Sequence, residues 1–388
     1  MRVETIVTRV LGRWAGGIHS RRLTAMLVVV GGIVRAGRLS VTRVGRALAS
    51  RAMVKHSIKR VDRLLSNAAF HRERWSFFAA ISEYLIGSAC RPVIVVDWTK
   101  VVGQFHALYA AVPVGGRAQT VYLEVHPERR LEARTVHERF LRGLKAVLPK
   151  NCRPIVVSDA GFHGHFFREV QRLGWDFVGR LRGRTTMRPL PGKGGWTNVH
   201  ELYGRASNEA TDLGSYHLYK KVRGLEVRLV LIGRKKSRRH PWRRKLSTDH
   251  VRTMTACKEP WLLATSLTAE SACDVARLYG TRMQIEETFR DAKNHRFGWS
   301  LRDVRCASRA RLETLLVLCT LATLAVSLAG LAVERASLHR RFQANTVKTR
   351  VLSHFFLGAA YFSAFVRPPV HIRLSALRPA LHPLPLQC

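Results

Sequence analysis

Acidic residues are scarce in this sequence. Its 388 residues include 26 Asp and Glu against 66 Lys and Arg, which gives a formal net charge of +40. A chain with so little negative charge repels itself unless it binds a polyanion, and nucleic acid is the commonest polyanionic partner. The composition therefore favours a nucleic-acid-binding protein, with an anionic membrane surface as the weaker alternative.

Cysteine pairs are also lacking. The seven cysteines are scattered and none forms a C-x-x-C pair, which argues against a disulfide framework and a zinc site and favours a reducing cytoplasm. The N-terminus has no short apolar run that ends in a small-residue cleavage site, so we expect no signal peptide. The pattern G-x-x-x-x-G-K-[ST] is absent, so we expect no nucleotide cofactor.

Only one apolar run is long enough to span a bilayer, residues 315–333. Thr320, Thr323, Ser327 and Gly330 dilute its hydrophobicity, and basic residues lie on both sides. We expect this run to form a buried helix rather than a transmembrane span, and we expect no membrane partner.

The N-terminal region, residues 1–75, has apolar residues at helical spacing among many basic ones. Residues 40–50 and 55–67 predict two short basic helices joined by a short connection. Such a pair suits a DNA-binding domain, for example of the helix-turn-helix kind. A plain helical bundle with solvated Arg faces is the alternative.

From residue 91 the pattern changes to strands. RPVIVVDWT and RPIVVSDAGF are apolar runs that each end in an acid, as buried central strands do. The predicted order is three strands, a helix, a strand, a helix and a strand, which is typical of a ribonuclease-H-like core. These strands lie at 91–99, 105–114, 120–125, 153–162 and 175–181, and the helices at 133–148 and 163–174.

We therefore predict an α/β fold. It has a ribonuclease-H-like core, in which helices flank a mixed sheet, and a β-rich insertion interrupts this core between helical N- and C-terminal regions. Later segments include strands at 225–233 and 261–267 and a long helix at 270–295. The predicted domains are a basic DNA-binding region (1–75), the first part of the core (76–182), the insertion (183–268), a core helix (269–300) and a helical C-terminal region (301–388).

Two acids, Asp97 and Asp159, end predicted strands, where side chains emerge at the edge of a sheet. Two such carboxylates, with a third from a helix, can hold two divalent ions about 4 Å apart. Oxygen ligands without imidazoles favour Mg²⁺ or Mn²⁺. For a single strand-end Asp, a turn or helix cap is the usual alternative.

The stretch YGTRMQIEETFRDAK supplies a third acid, Glu286. Tyr279, Arg282, Glu286 and Lys293 follow at offsets of 3, 7 and 14, which would place them near one face of a helix. The neighbouring acid Glu287 lies about 100° around such a helix, so we expect a solvent-side or supporting role for it. Ordinary surface ion pairing is the alternative interpretation of this stretch.

The spacing Y-2-R-3-E-6-K, with strand-end acids upstream, resembles the signature of bacterial DDE transposases of the insertion-sequence-four family, of which the Tn-five transposase is the familiar member. VVDWT around Asp97, SDAGF around Asp159 and the strand WLLATS before Tyr279 agree with it. The resemblance covers roughly residues 91–300. SDAGF has Ala160 where members often carry Arg, a departure that touches no expected ligand.

The resemblance implies that Asp97, Asp159 and Glu286 are catalytic and bind two Mg²⁺ or Mn²⁺ ions. It implies that Tyr279, Arg282 and Lys293 contact phosphates near the transposon end. Trp261 would stack on a base flipped from the DNA, with core packing as the alternative for this residue. The basic loop 234–245, which contains Trp242, could follow the DNA backbone; a solvated loop is its alternative.

We therefore predict a transposase that cuts and joins DNA strands in cut-and-paste transposition of an insertion sequence. Its expected partners are double-stranded DNA, as transposon ends and target, and a second copy of the chain in a synaptic homodimer. The expected location is the cytoplasm, in association with the nucleoid. A metal-dependent DNA nuclease and an inactive DNA-binding regulator of transposition are the alternatives.

Overall fold

The computed structural model describes residues 2–183, 185–192, 194–220, 224–233, 259–344 and 346–364. The chain forms two compact units: the first comprises Met1–Cys152 and Met283–Cys388, and the second comprises Arg153–Arg282. The basic loop 234–245 and the C-terminal stretch PALHPLPLQC lie outside the described residues.

The first unit begins with helices, as residues 1–75 predict. The described helices of this region are α1 (Val3–Leu11), α2 (Ser20–Ala36), α3 (Val41–Arg46), α4 (Val54–Leu65) and α5 (Ala68–Ile86). The two predicted basic helices correspond to α3 and α4, so both predictions are confirmed. The Asn67 side chain caps α5 by accepting a hydrogen bond from the Phe70 N–H at 2.9 Å. Because α5 continues to Ile86, it runs across the domain boundary that we predicted after residue 75.

Three antiparallel strands and a helix follow in the first unit. They are β1 (Val93–Val102), β2 (Phe105–Val114), β3 (Arg117–Pro127) and α6 (Arg134–Val147). The strands lie in the spatial order β3-β2-β1. The turn between β2 and β3 uses Gly115 and Gly116, both with positive φ, which glycine adopts without steric strain. Most residues of the three strands are buried, because helices pack on both faces of this sheet.

The second unit contains a mixed sheet with flanking helices. Its elements are β4 (Ile155–Ser158), α7 (Gly164–Arg172), β5 (Asp176–Leu181), β6 (Thr186–Pro189), β7 (Thr197–Asn198), β8 (Thr211–Leu218), β9 (Leu225–Ile232), β10 (Trp261–Thr265) and α8 (Ala272–Gly280). The strands lie in the order β4-β5-β10-β9-β8-β6-β7. Strand β4 pairs in parallel with β5, and the other neighbours are antiparallel.

The predicted β-rich character of residues 183–268 is confirmed for the described part of this segment. The sequence pattern indicated β9 but missed β6, β7 and β8. Strands β6 and β7 are too short to show a period. In β8, Gly214 has a φ of 83° and the register with β9 shifts between Asp212 and Gly214, which disturbs the alternation of side chains.

The last helices belong to the first unit: α9 (Met283–Lys293), α10 (Arg309–Arg335) and α11 (His354–Ala364). Helix α10 contains the long apolar run and is long and apolar enough to span a membrane, but 94% of its most apolar window is buried inside the protein. It packs against α2, α5 and β3. The predicted buried helix is therefore confirmed, and so is the α/β fold class with a mixed sheet flanked by helices.

Helices α10 and α11 cross in close contact at two glycines. A Cβ atom at Gly330 would lie 1.9 Å from the His354 carbonyl oxygen, and one at Gly358 would lie 1.9 Å from the Val326 carbonyl oxygen. Only residues without a side chain allow the two backbones to approach this closely.

We expect Gly330→Ala to lower the free energy of unfolding by about 1–3 kcal/mol, because the added methyl group forces the two helices apart. Thermal unfolding should show a melting temperature several degrees below that of the wild type. Gly16→Ala is the control, since no atom lies within 4 Å of a Cβ there. Equal melting temperatures for the two variants would contradict close packing at this crossing.

Candidate functional site

Asp97 lies in the interior of β1, which continues to Val102, so the prediction that Asp97 ends its strand is wrong. The apolar run before it is buried between helices, and in the pairing with β2 Asp97 lies opposite Tyr109. The Asp97 side chain is 8% exposed, and its Oδ1 accepts a hydrogen bond from the Trp98 N–H at 2.8 Å. Thr99 lies two residues further on, so both side chains lie on the same face of the strand. The strand thus presents a carboxylate and a hydroxyl side by side.

Helix α9 lies against the same sheet. Its apolar side chains Ile285 and Phe289 are buried, and the Phe289 ring contacts Tyr109 edge to face at 5.1 Å between centroids. The Thr288 hydroxyl accepts a hydrogen bond from the Ala118 N–H of β3 at 2.8 Å. These contacts fix the rotation of α9, and with it the direction of its acidic and basic side chains.

Within the first unit, Glu286 and Lys293 line one cleft of about 500 Å³. The residues around it are Thr99, Glu286, Phe289, Arg290, Lys293, Asn294, His295, Arg302 and Asp303. The Lys293 ammonium donates a hydrogen bond to the Thr99 hydroxyl at 2.5 Å and lies 5.8 Å from the Phe289 ring centroid. The cleft therefore joins an acid and a base of α9 to the Asp97 strand.

Three effects act on the pKa of Lys293. Burial lowers the pKa of its ammonium group, and the nearby Arg302 lowers it further. The Asp97 carboxylate acts in the opposite direction and raises the pKa. Asp97 and Lys293 are therefore electrostatic neighbours, as the family resemblance implies for an acid and a phosphate-binding lysine.

Glu287 has a different environment from Glu286. Its carboxylate pairs with Arg290 at 2.7 Å and lies 3.8 Å from Arg117. Arg117 also forms a short ion pair with the buried Asp291 at 2.6 Å. The supporting role that we predicted for Glu287 agrees with these contacts, because its charge is engaged by two guanidinium groups.

Asp159 follows β4 in the second unit, as predicted. Its Oδ1 accepts a hydrogen bond from the Gly161 N–H at 2.9 Å, the side-chain turn expected for Asp at the end of a strand. Asp159 lines a cleft of about 850 Å³ together with Arg168, Arg182, Glu259 and others. The strand-end carboxylate is thus accessible from a polar cleft.

Trp261, Tyr279 and Arg282 also lie together in the second unit. Trp261 begins β10, and its ring contacts Tyr279 edge to face at 4.8 Å. Tyr279 is 3% exposed, and burial raises the pKa of its hydroxyl. That hydroxyl accepts a hydrogen bond from the Arg282 guanidinium, and the charge of the Asp159 carboxylate raises its pKa further. The structure therefore brings three predicted DNA-binding residues near the second predicted acid.

The predicted continuous helix 270–295 is wrong. Helix α8 ends at Gly280, Thr281 follows as its C-cap, and α9 begins at Met283. The Thr281 hydroxyl donates a hydrogen bond to the Leu278 carbonyl oxygen at 2.6 Å, and Gly280 disfavours a helix interior. Tyr279, Arg282, Glu286 and Lys293 therefore do not share the face of one helix, although Glu286 and Lys293 share α9 and its cleft.

In chemistry, Asp97, Asp159 and Glu286 fit a hard divalent cation, because all three offer carboxylate oxygens. No group of three or more His, Cys, Asp or Glu side chains that could hold a metal ion occurs among the described residues.

The cysteines differ from the expectation of free thiols at one position. Cys90 is disulfide-bonded, while Cys152, Cys273, Cys306 and Cys319 are free.

A sequence model of one protein family matches most of the region that holds these side chains. It is described as a transposase DDE domain and matches residues 88–324, more than half of the chain. The chain belongs to the transposase DDE domain family. The matched range contains Asp97, Asp159, Trp261, Tyr279, Arg282, Glu286 and Lys293.

Among solved structures, the transposase is similar to the piggyBac transposase in a cryo-EM structure of its synaptic complex with hairpin DNA. The two chains share 10% sequence identity at a TM-score of 0.40, and the alignment covers 94% of this chain and 76% of that chain. A comparison with curated proteins finds no match. The family assignment therefore rests on the sequence match.

Sequence reasoning missed a polar network on the other face of β1–β3 in the transposase. The buried Glu124 carboxylate accepts hydrogen bonds from the Tyr122 hydroxyl at 2.8 Å and from Arg139 at 2.7 Å, and it lies 3.0 Å from His126 Nε2. The His126 ring contacts the ring of Trp98, whose backbone N–H holds Asp97. In the sequence, Glu124 is an acid within the mostly apolar predicted strand TVYLEV, and this is the signal that could have revealed the network.

The Glu124 network should make stability depend on pH. The hydrogen bonds from His126, Arg139 and Tyr122 outweigh burial and lower the pKa of Glu124 from 4.5 to about 2. Because the folded-state pKa is the lower one, the stabilisation is present above pH 4.5 and is lost as the pH falls toward 2. We expect Glu124→Gln to reduce the free energy of unfolding at neutral pH and to flatten its fall across this window.

Chemical denaturation at several pH values measures both effects. Glu138→Gln is the control, because Glu138 pairs with the exposed Arg134 on the surface of α6 and such pairs contribute about 0–1 kcal/mol. Parallel pH profiles for the wild type and Glu124→Gln would show that the network does not stabilise the fold.

Proposed function

We propose that this transposase is a member of the insertion-sequence-four family that catalyses cut-and-paste transposition by binding the ends of its element. The observation that carries the proposal is that candidate acids lie beside candidate cations in both units. Glu286 and Asp97 adjoin Lys293 in the first unit, and Asp159 adjoins Tyr279 and its partner Arg282 in the second. Acids that bind metal and cations that bind phosphate are both needed where a DNA strand is cut.

In this proposal Asp97, Asp159 and Glu286 hold two Mg²⁺ or Mn²⁺ ions. Bound ions of this kind activate the attacking oxygen and stabilise the leaving oxygen in phosphodiester chemistry. The protein prepares the position of one ligand in advance, since the Trp98 N–H orients the Asp97 carboxylate. The packing of α9 through Thr288 and Phe289 sets the direction of Glu286.

The DNA strand would be held by Lys293, Arg282, Tyr279 and Trp261. Lys293 neutralises phosphate charge from a position fixed by Thr99. The burial of Tyr279 gives it a supporting part, because its hydroxyl holds Arg282, whose guanidinium would bind phosphate. Trp261 is half-buried, and stacking of a flipped base on its ring would contribute about 1–3 kcal/mol.

The same proposal assigns the partners and the location. The net charge of +40 suits double-stranded transposon ends and target DNA, and α3 and α4 would contribute to recognition of the ends. Two copies of the chain would form a homodimer in the synaptic complex. The reaction needs no nucleotide cofactor and no membrane, and it would take place in the cytoplasm at the nucleoid.

Replacement of each acid should separate chemistry from binding. We expect Asp97→Asn, Asp159→Asn and Glu286→Gln each to abolish strand cleavage and strand transfer with Mg²⁺, because each removes a charge that a divalent ion requires. Binding of a duplex that carries the transposon end should persist. Gel assays of cleavage and joining, with a binding assay on the same duplex, measure both properties.

Glu287→Gln is the matched control, since Glu287 neighbours Glu286 on α9 but pairs with Arg290. It should cut and join like the wild type. An acid variant that still cuts at the wild-type rate would remove that residue from the metal ligands. Cleavage without joining by the wild-type protein would favour a nuclease, and binding without cleavage would favour an inactive regulator.

A further inference from the structure

The segment after α9 is a structured loop that leads to the turn Leu301–Asp303. It folds back on the end of the helix: the Trp299 N–H donates to the Asp291 carbonyl oxygen at 3.0 Å, and the Ser300 N–H donates to the Asn294 carbonyl oxygen at 3.1 Å. Gly298 is required at this return, because a Cβ there would lie 1.7 Å from the Asp291 carbonyl oxygen. The loop is thus closed by its own backbone.

Trp299 anchors this loop to the core of the first unit. Its side chain is 3% exposed, its Nε1–H donates to the Thr323 hydroxyl of α10 at 2.8 Å, and its ring contacts Phe355 edge to face at 5.2 Å. The Leu39 N–H donates to the Trp299 carbonyl oxygen at 3.0 Å. Three contacts on different elements therefore fix the position of the residues that follow Trp299.

Arg302 is the cation that this anchored turn presents to the cleft of Glu286 and Lys293. It is exposed, and its charge is close enough to Lys293 to lower the pKa of that ammonium group. The adjacent acid Asp303 pairs with Arg38 at 3.5 Å. Within the described ranges no ion pair joins Arg302 to a carboxylate, and Arg302 lines the same cleft as Lys293 and Glu286.

Two like charges held close together are unfavourable, and a nearby anion relieves their repulsion. The Asp97 carboxylate raises the pKa of Lys293 by less than Arg302 lowers it, so a further anion at this cleft would be stabilised. Contacts fix the positions of both residues. Lys293 donates a hydrogen bond to Thr99, and Trp299 anchors the turn that carries Arg302. An arginine and a lysine complement each other toward phosphate, since the guanidinium can bind two oxygens at once and the ammonium acts as a point charge.

We propose that Arg302 and Lys293 bind the same phosphate of a DNA strand in the cleft beside Glu286. This inference rests on the proposed function and adds Arg302 to the residues that bind the strand. The shared phosphate would bring the backbone next to the Glu286 carboxylate while two cations offset the repulsion between them. Arg302 would thus position the strand rather than take part in the chemistry.

The test compares Arg302→Ala with Arg305→Ala, which removes an exposed arginine three residues away that is not part of the cleft lining. Affinity for a duplex carrying the transposon end is measured over a range of salt concentrations. We expect Arg302→Ala to weaken binding about tenfold, the loss of one charge-assisted hydrogen bond to phosphate. The slope of log affinity against log salt should fall by about one. Arg305→Ala should change neither quantity as much.

A second measurement asks whether the two cations share a phosphate. Single phosphates of the strand are replaced in turn by neutral methylphosphonates, and binding is measured for the wild type, Arg302→Ala and Lys293→Ala. At one position the substitution should weaken the wild type but have little further effect on either variant. Arg305→Ala should keep the wild-type sensitivity at that position.

The inference is overturned if Arg302→Ala binds like Arg305→Ala, or if Arg302→Ala and Lys293→Ala become insensitive at different phosphates. Equal melting temperatures of the arginine variants and the wild type establish that the comparison reports on binding. Failure of the wild-type protein to bind the duplex at any salt concentration would overturn the proposed function, and this inference with it. Wild-type binding without an Arg302 effect would overturn this inference alone.

Discussion

The docking of α9 on β3 is the constraint on which the first cleft depends. The partly buried ion pair of Arg117 with Asp291 and the hydrogen bond of Ala118 with Thr288 join segments far apart in sequence. Two side chains on adjacent turns are held at once, so α9 can neither slide nor rotate without breaking a partly buried polar contact. Of two consecutive acids, this orientation leaves Glu286 in the cleft and engages Glu287 with arginines.

The second requirement is electrostatic. A transposase that handles DNA needs cations near its acids, yet a cation that forms a tight ion pair with the acid would neutralise the metal ligand. In the first unit Lys293 donates a hydrogen bond to the neutral Thr99 hydroxyl, and the nearby Asp97 carboxylate raises the pKa of its ammonium group. In the second unit the neutral Tyr279 hydroxyl accepts a hydrogen bond from Arg282. In both units a neutral hydroxyl group thus contacts a candidate cation.

The elements that carry the candidate acids could be predicted from the sequence, because they are buried runs with a clear period. The runs before Asp97 and Asp159 are mostly apolar, and the spacing of Ile285 and Phe289 marks the buried face of α9. Local patterns failed where a hydrogen bond or a bend decided the outcome. The break after Gly280 follows from one threonine hydroxyl, and strand β8 is interrupted at Gly214.

The role of Arg302 could not be predicted from the sequence for a related reason. It is one of many arginines in a basic chain, and what distinguishes it is the anchoring of Trp299 to Thr323 and Leu39, contacts that join residues distant in sequence. The arginines with the clearest partners serve the fold instead: Arg22 pairs with Glu73, Arg139 with Glu124 and Arg309 with Glu313. The few acids of the chain therefore divide the cations by function, since those that an acid holds stabilise the protein. In the proposed function, Lys293 and Arg302, which line the first cleft, instead bind the DNA strand.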